Sequence, residues 1–286
     1  FNAMKTKALV PMVALLGMML TAGAETRGPA TFCRFVPERA DDFAWENDKI
    51  AFRAYGPALR EGKEDSGIDC WLKRVDYPII DKWYEKGAYH KDHGEGHDPY
   101  HVGSSRGCGG LGLWIDDQLV ISDTFTAWKV IKCEPEESVF VLTYEYKVGD
   151  DAYKEEKRIS IQLGDRLFNV VSTFWKNEEP AAELPIAIGI TTHDGKATAS
   201  KDVSKGWMAC WEKIQGYNLG TGVVMRPSAV REFKIIDTPE KDDGHILFIT
   251  QTDEKGKVEY HAGYGWEKAD EITTANAWNT YLENFN

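Results

Sequence analysis

The chain has 286 residues, with 46 Asp and Glu against 34 Lys and Arg, a formal charge of −12. Hydrophobic residues make up 42% and aromatic ones 12%, with ten Trp, which excludes a disordered chain and suffices for one large β domain. The acidic balance excludes non-specific nucleic-acid binding, and any polyanionic substrate would need a locally basic cleft.

Phe1-Asn2-Ala3 reads as an expression scar. Met4-Lys5-Thr6-Lys7 is then a basic head, residues 8–20 are apolar apart from Pro11 and Gly17, and Ala22-Gly23-Ala24 supplies the small residues of a signal-peptidase site. The apolar run is shorter than the roughly 20 residues that cross a bilayer, and no second one follows. Residues 4–24 are therefore expected to be a cleaved secretory signal, with no membrane span and a periplasmic or extracellular mature protein. Residues 25–286 are expected to form a single domain. Cys33, Cys70, Cys108, Cys133 and Cys210 are odd in number and show no C-x-x-C pair, which excludes zinc-ribbon and thioredoxin chemistry. Export leaves room for one disulfide, and most of the five are expected to be small buried hydrophobes.

From Phe43 the pattern is β-like. Residues 49–55 alternate and stop at Gly56-Pro57, and a short apolar run surrounds Cys70-Trp71-Leu72. After residue 110 come predicted strands at 111–115, 119–122, 138–148, 157–163, 167–175, 184–192, 223–226, 233–236 and 245–251. Gly149-Asp150-Asp151 and Gly164-Asp165 are hairpin turns. On the strand at 138–148, Phe140, Leu142, Tyr144 and Tyr146 share one parity and are expected to face the core. Only residues 275–283 read as a helix, with Ala275, Trp278, Tyr281 and Leu282 spaced by three or four. The expected fold is all-β, one large antiparallel β-sandwich with one long irregular loop.

That loop runs from Trp83 to Gly110. Four of the seven histidines lie between His90 and His101, interleaved with Asp92, Glu95 and Asp98. His93, His97 and His101 would align on a helix, but Gly94, Gly96 and Pro99 exclude one there. In an extended loop His93, Glu95 and His97 would point one way and could ligate one divalent metal ion. Alternatively the set supplies an acid/base group beside a charge stabiliser, or is a solvated loop whose histidines cap turns. Long unstructured loops are usually functional. His193, in Thr192-His193-Asp194-Gly195, sits where a strand reaches the sandwich rim, or in an ordinary Asp-Gly turn. His261 could line the same cleft, and His245 is expected at the surface. Arg53 and Arg106 are candidate partners for a substrate carboxylate, with Arg53 alternatively pairing with Glu46 or Asp48. Trp45, Trp83, Trp207, Trp211 and Trp266 are expected in the core more than on a sugar platform.

The block Phe35-Val36-Pro37-Glu38-Arg39-Ala40-Asp41-Asp42-Phe43-Ala44-Trp45-Glu46-Asn47-Asp48, with Phe52-Arg53-Ala54-Tyr55-Gly56-Pro57-Ala58-Leu59, resembles the domain-of-unknown-function family 4861. Ser66-Gly67-Ile68-Asp69, His93-Gly94-Glu95-Gly96 followed by Asp98, and Gly263-Tyr264-Gly265-Trp266 extend the resemblance from Cys33 onward. It implies association with bacterial glycan degradation. The long strands joined by Gly-Asp turns also look like the galactose-mutarotase supersandwich, in which a rim histidine such as His193 commonly faces the sugar; that likeness is at fold level. The resulting expectation is a secreted glycan-cleaving enzyme, a lyase or a hydrolase. Its ligand would be an oligosaccharide or polysaccharide of plant or host type, including uronate-bearing ones. An aldose epimerase and a non-catalytic carbohydrate-binding module are the alternatives. His93, Glu95, Asp98 and His193 are the candidate catalytic groups. Arg53, Tyr100, His101 and Arg106 are the candidate substrate contacts, and His93, Glu95 and His97 the candidate metal ligands. The insertion at 89–110 is expected to bring His93 and Glu95 to a cleft also reached by Arg53 and His193.

Overall fold

Three antiparallel sheets account for the alternating segments in the computed structural model, which describes residues 28–269 and 271–285. The expected scar and signal segment lie outside the described residues. The first sheet takes Phe32–Val36, Asp42–Glu46, Ala51–Ala54, Ile68–Lys73 and Gly96–His97 in chain order. The large sheet has the spatial order Thr198–Asp202, Trp207–Ile214, Tyr217–Val224, Lys257–Trp266, Leu167–Lys176, Asp151–Gln162, Glu137–Val148, Ala127–Cys133. Glu179–Pro180 adds a short pairing to Leu167–Lys176. The third sheet runs Glu232–Ile236, His245–Gln251, Pro185–Thr191, Cys108–Ile115, Gln118–Val120.

A parallel bridge between Ile68 and Gly107 joins the first sheet to the third. Trp45 and Phe52 from the first sheet and Ile188 and Phe248 from the third share one core with Phe140, Leu142, Tyr260 and Tyr264 of the large sheet. The two smaller sheets therefore lie together over one face of the large one, as a sandwich requires. Phe140, Leu142, Tyr144 and Tyr146 are buried as their parity predicts, and Glu145 between them is exposed.

Two helices cover outer faces. Ile80–Lys86, too short to read from its sequence, packs Ile80, Trp83 and Tyr84 on Trp71 and Ala44 of the first sheet and stops at Gly87 in the left-handed conformation. Ala275–Glu283 begins where Thr274 Oγ1 accepts from the Ala277 amide at 3.1 Å. Its Trp278 and Leu282 cover Trp207, Ala209 and Val224 of the large sheet. Among the described residues no helix is long and apolar enough to cross a membrane. All five cysteines are free, and only Cys133 is exposed. Trp45, Trp83, Trp207 and Trp266 are buried as expected, and Trp211 is half-buried. His245 departs from expectation. It is buried rather than at the surface, and burial beside Arg106 pushes its pKa down to about 4.

Candidate functional site

The histidine-rich insertion is ordered by a glycine. Gly96 has φ +123°, and a Cβ there would stand 1.9 Å from the Leu72 carbonyl oxygen, so only glycine lets the loop pair with Ile68–Lys73. The turn at Gly96 also breaks the alternation expected of an extended loop. Glu95 faces the short helix, accepting from Tyr77 Oη at 2.6 Å, Trp83 Nε1 at 3.3 Å and Lys82 Nζ. Burial opposes its charge, but the Lys82 and Tyr77 bonds outweigh burial and hold its pKa below the ordinary carboxylate value. His97 faces elsewhere, with Nε2 2.9 Å from Gln215 Oε1 and its ring beside Trp266, and burial lowers its pKa. His93 is exposed. Glu95 and His97 therefore turn to different neighbours, and among the described residues no three His, Cys, Asp or Glu side chains are placed to hold a metal ion.

Arg53 finds partners that strand register supplies. Asp69 lies directly across from it, and the loop lowers Asp98 from the other side. The guanidinium sits 2.5 Å from Asp69 Oδ2, 3.1 Å from Asp98 Oδ2 and 3.9 Å from Asp42 Oδ2, and Tyr55, Trp71 and Tyr89 present their rings to it. Its partners are thus neither Glu46, which binds Lys73 at 2.7 Å, nor Asp48. Burial raises the pKa of Asp69 to about 7 and those of Asp98 and Asp42 to about 6, against the pull of Arg53, and the Asp98 charge adds to the rise at Asp69. Asp69 Oδ1 and Asp98 Oδ1 are buried without a hydrogen-bond partner.

Arg106 is fully buried, donating to Ser66 Oγ, the Leu111 and Ser104 carbonyls, and Asp65 Oδ1 at 2.7 Å. That is the geometry of a pin holding the end of the loop, with no face open to a substrate. His193 is also committed. Its Nδ1 is 2.6 Å from Glu212 Oε1 and its Nε2 2.7 Å from the His101 carbonyl, while Tyr100 packs edge-on at 4.6 Å. The structure thus brings Tyr100, His101 and His193 together, and Arg53 with Asp98. It leaves His93 and Glu95 apart from both groups, beside a crevice of about 10 Å³ lined with Trp83 and Tyr89. That volume suits one water molecule.

The space lies elsewhere. A groove of about 790 Å³ opens along Lys257–Trp266, whose residues Lys257, Glu259 and His261 take the outward parity while Val258 and Tyr260 turn into the core. Asn169, directly opposite His261, donates to Glu259 Oε1 at 3.0 Å and reaches His261 Nε2 at 3.1 Å. Burial lowers the His261 pKa despite Glu259 nearby. Phe285 packs against the ring at 5.0 Å. Arg226, Arg231 and Lys257 line the groove exposed, and Lys205 stands among them bonded to Glu283. Asp253 also lines it, accepting from the Lys255 and Lys257 amides at 2.8 and 2.9 Å. In a chain of charge −12 the groove gathers Lys205, Arg226, Arg231 and Lys257 around the two carboxylates Asp253 and Glu259. Of this set the sequence singled out His261 alone. The alternation of residues 257–261 is the signal that finds Glu259, but Arg226 and Arg231 reach the groove from distant turns.

The chain matches a family model described as "Domain of unknown function (DUF4861)" over residues 18–286. It is 39% identical over 269 residues to a protein of Formosa agariphila named "Uncharacterized protein P7", a match covering 89% of this chain. The chain spans 66% of that relative's length, just under two thirds. With the family model covering nearly all of its length, the chain belongs to the DUF4861 family.

Proposed function

We propose that the protein is a secreted carbohydrate-active protein that binds and cleaves a uronate-bearing oligosaccharide in the groove along Lys257–Trp266. The observation that carries this reading is the lining of the groove, where the His261 imidazole, the Glu259 carboxylate and the exposed cations Arg226, Arg231 and Lys257 border a volume typical of small-molecule sites. Arg226 and Arg231 pair with the sugar carboxylate, His261 takes the proton beside it on Nε2 as the Asn169 amide lets go of that nitrogen, and the cations steady the charge that develops. A hydrolase needs two carboxylates across the scissile bond. Asp253 accepts both its hydrogen bonds on Oδ1 and Glu259 accepts one from Asn169, so each keeps an oxygen for chemistry and the readouts below separate β-elimination from hydrolysis. The likeness to the galactose-mutarotase supersandwich supports the reading at fold level only.

The test is a panel of uronate oligosaccharides followed by ultraviolet absorbance of unsaturated ends, reducing-sugar release and calorimetric binding. His261→Ala should lower turnover by about 100-fold or more, Arg226→Ala should weaken binding, and His93→Ala should change neither. Loss of turnover on His93→Ala or Glu95→Gln, with His261→Ala active, would move the chemistry back to the loop. Binding without turnover in the unmodified protein would make it a binding module, and absence of binding to every anionic glycan would overturn the proposal.

A further inference from the structure

Strand Phe32–Val36 ends the first sheet and strand Ala127–Cys133 ends the large one, and the two edges meet where neither has another neighbour in its own sheet. The meeting is tightly held. The Thr31 amide donates to the Pro135 carbonyl at 2.8 Å, and the Thr31 and Ser138 hydroxyls lie 2.9 Å apart. Within this clamp Cys133 Sγ donates to the Cys33 carbonyl at 3.6 Å, Cys33 Sγ donates to the Lys132 carbonyl at 3.9 Å, and Ser138 Oγ reaches Cys133 Sγ at 3.8 Å. One sulfur is buried and the other exposed.

We propose that Cys33 and Cys133 form a dithiol that closes to a disulfide in an oxidising compartment, stitching the two layers of the sandwich together at their shared edge. The oxidant is a small-molecule disulfide. The exposed Cys133 thiolate attacks one of its sulfurs, breaking the S–S bond, forming a mixed disulfide and releasing one thiol. Cys33 then gives its proton to solvent and attacks the Cys133 sulfur, releasing the second thiol. Two protein thiols are oxidised by two electrons and one disulfide is reduced to two thiols. The neighbouring Cys33 side chain lowers the Cys133 pKa to about 6, so this sulfur is the nucleophile at neutral pH, while Cys133 beside it and burial raise Cys33. Cys70 also contacts Cys108, but both are buried beyond the reach of an oxidant, as is Cys210.

The experiment incubates the full chain with oxidised glutathione, alkylates it under denaturing conditions, and maps peptides by mass spectrometry without reduction. The expected result is loss of two of the five thiols, a Cys33–Cys133 cross-linked peptide, and a thermal midpoint higher by roughly 5–15 °C than in reductant, since the bridge closes a loop of about 100 residues. In Cys33→Ser and Cys133→Ser the midpoint should no longer respond to reductant. Five free thiols after oxidation, a bridge between Cys70 and Cys108, or a dimer linked through Cys133 would each overturn the proposal.

Discussion

Replacing Arg53 with Met keeps a straight apolar stem and removes the charge that faces Asp69, Asp98 and Asp42. Above neutral pH all three carboxylates are ionised and buried, so the loss should be that of a broken buried ion pair, about 3–5 kcal/mol. For a chain of this size that is a fall in midpoint of roughly 6–20 °C. At lower pH the penalty should shrink. Burial already lifts Asp69 to about 7 and Asp98 and Asp42 to about 6, above their unfolded values, and removing Arg53 lifts them further. A carboxyl raised in this way binds its proton in the folded state before the unfolded one, so stability falls as pH rises from the unfolded to the folded pKa and is greatest below that window. Near pH 5 the three groups are neutral, and only the hydrogen bonds and aromatic contacts of the guanidinium are lost, about 1–2 kcal/mol. Urea unfolding followed by Trp fluorescence at about pH 8 and about pH 5 measures both losses. Equal losses at the two pH values would refute the argument and assign the role of Arg53 to packing against Tyr55, Trp71 and Tyr89.

Gly96→Ala forces a Cβ to within 1.9 Å of the Leu72 carbonyl oxygen at φ +123° and should destabilise by at least about 2 kcal/mol. Hydrogen exchange should show faster loss of the Arg74 amide, which binds the Glu95 carbonyl at 2.9 Å, and unchanged protection there would contradict the strand pairing. Glu95→Gln removes a carboxylate held below its ordinary pKa and should lower stability by about 1–3 kcal/mol at neutral pH. Because that pKa is depressed, the contribution is present above the unfolded carboxylate value and is lost as pH falls through the folded one, so the difference between variant and wild type should shrink toward acid pH. Parallel pH profiles for the two proteins would count against the three hydrogen bonds at Glu95.

Glu137–Val148 is legible because one of its faces is wet, and His245–Gln251, covered on both faces, is legible as a short apolar run. Glu137–Val148 alternates and was found to within a residue, and His245–Gln251 and Ala275–Glu283 were found with their observed bounds. Trp207–Ile214 escaped because both its faces are covered. Met208 and Cys210 enter the main core while Trp207 and Ala209 lie under the C-terminal helix, so no two-residue period survives. Ala127–Cys133, a largely exposed edge, carries Trp128, Val130 and Ile131 without alternation and so gives no two-residue period. The density of histidine and carboxylate in the insertion was visible, but not which groups would meet. Arg53 takes Asp69 through strand register and Asp98 through the loop, while the acids closest in sequence, Glu46 and Asp48, are held elsewhere. His193 and Arg106 have the residue types of chemistry and the surroundings of structure, a distinction that only partners and burial make.

Lys257–Trp266, the last strand in order among the described residues, stands in the interior of the large sheet, between Leu167–Lys176 and Tyr217–Val224. During synthesis the strands on either side are finished long before the piece that joins them, so the sheet waits as two half-sheets with open edges. Such edges are sites of wrong pairing until they are covered. The groove wall made of Glu259 and His261 arrives on that same strand, so the groove and the closure of the sheet come in one step. A nascent chain halted before residue 257 would keep both edges open and lack this wall of the groove, and one released just after residue 266 would still lack the helix that covers Trp207 and Ala209.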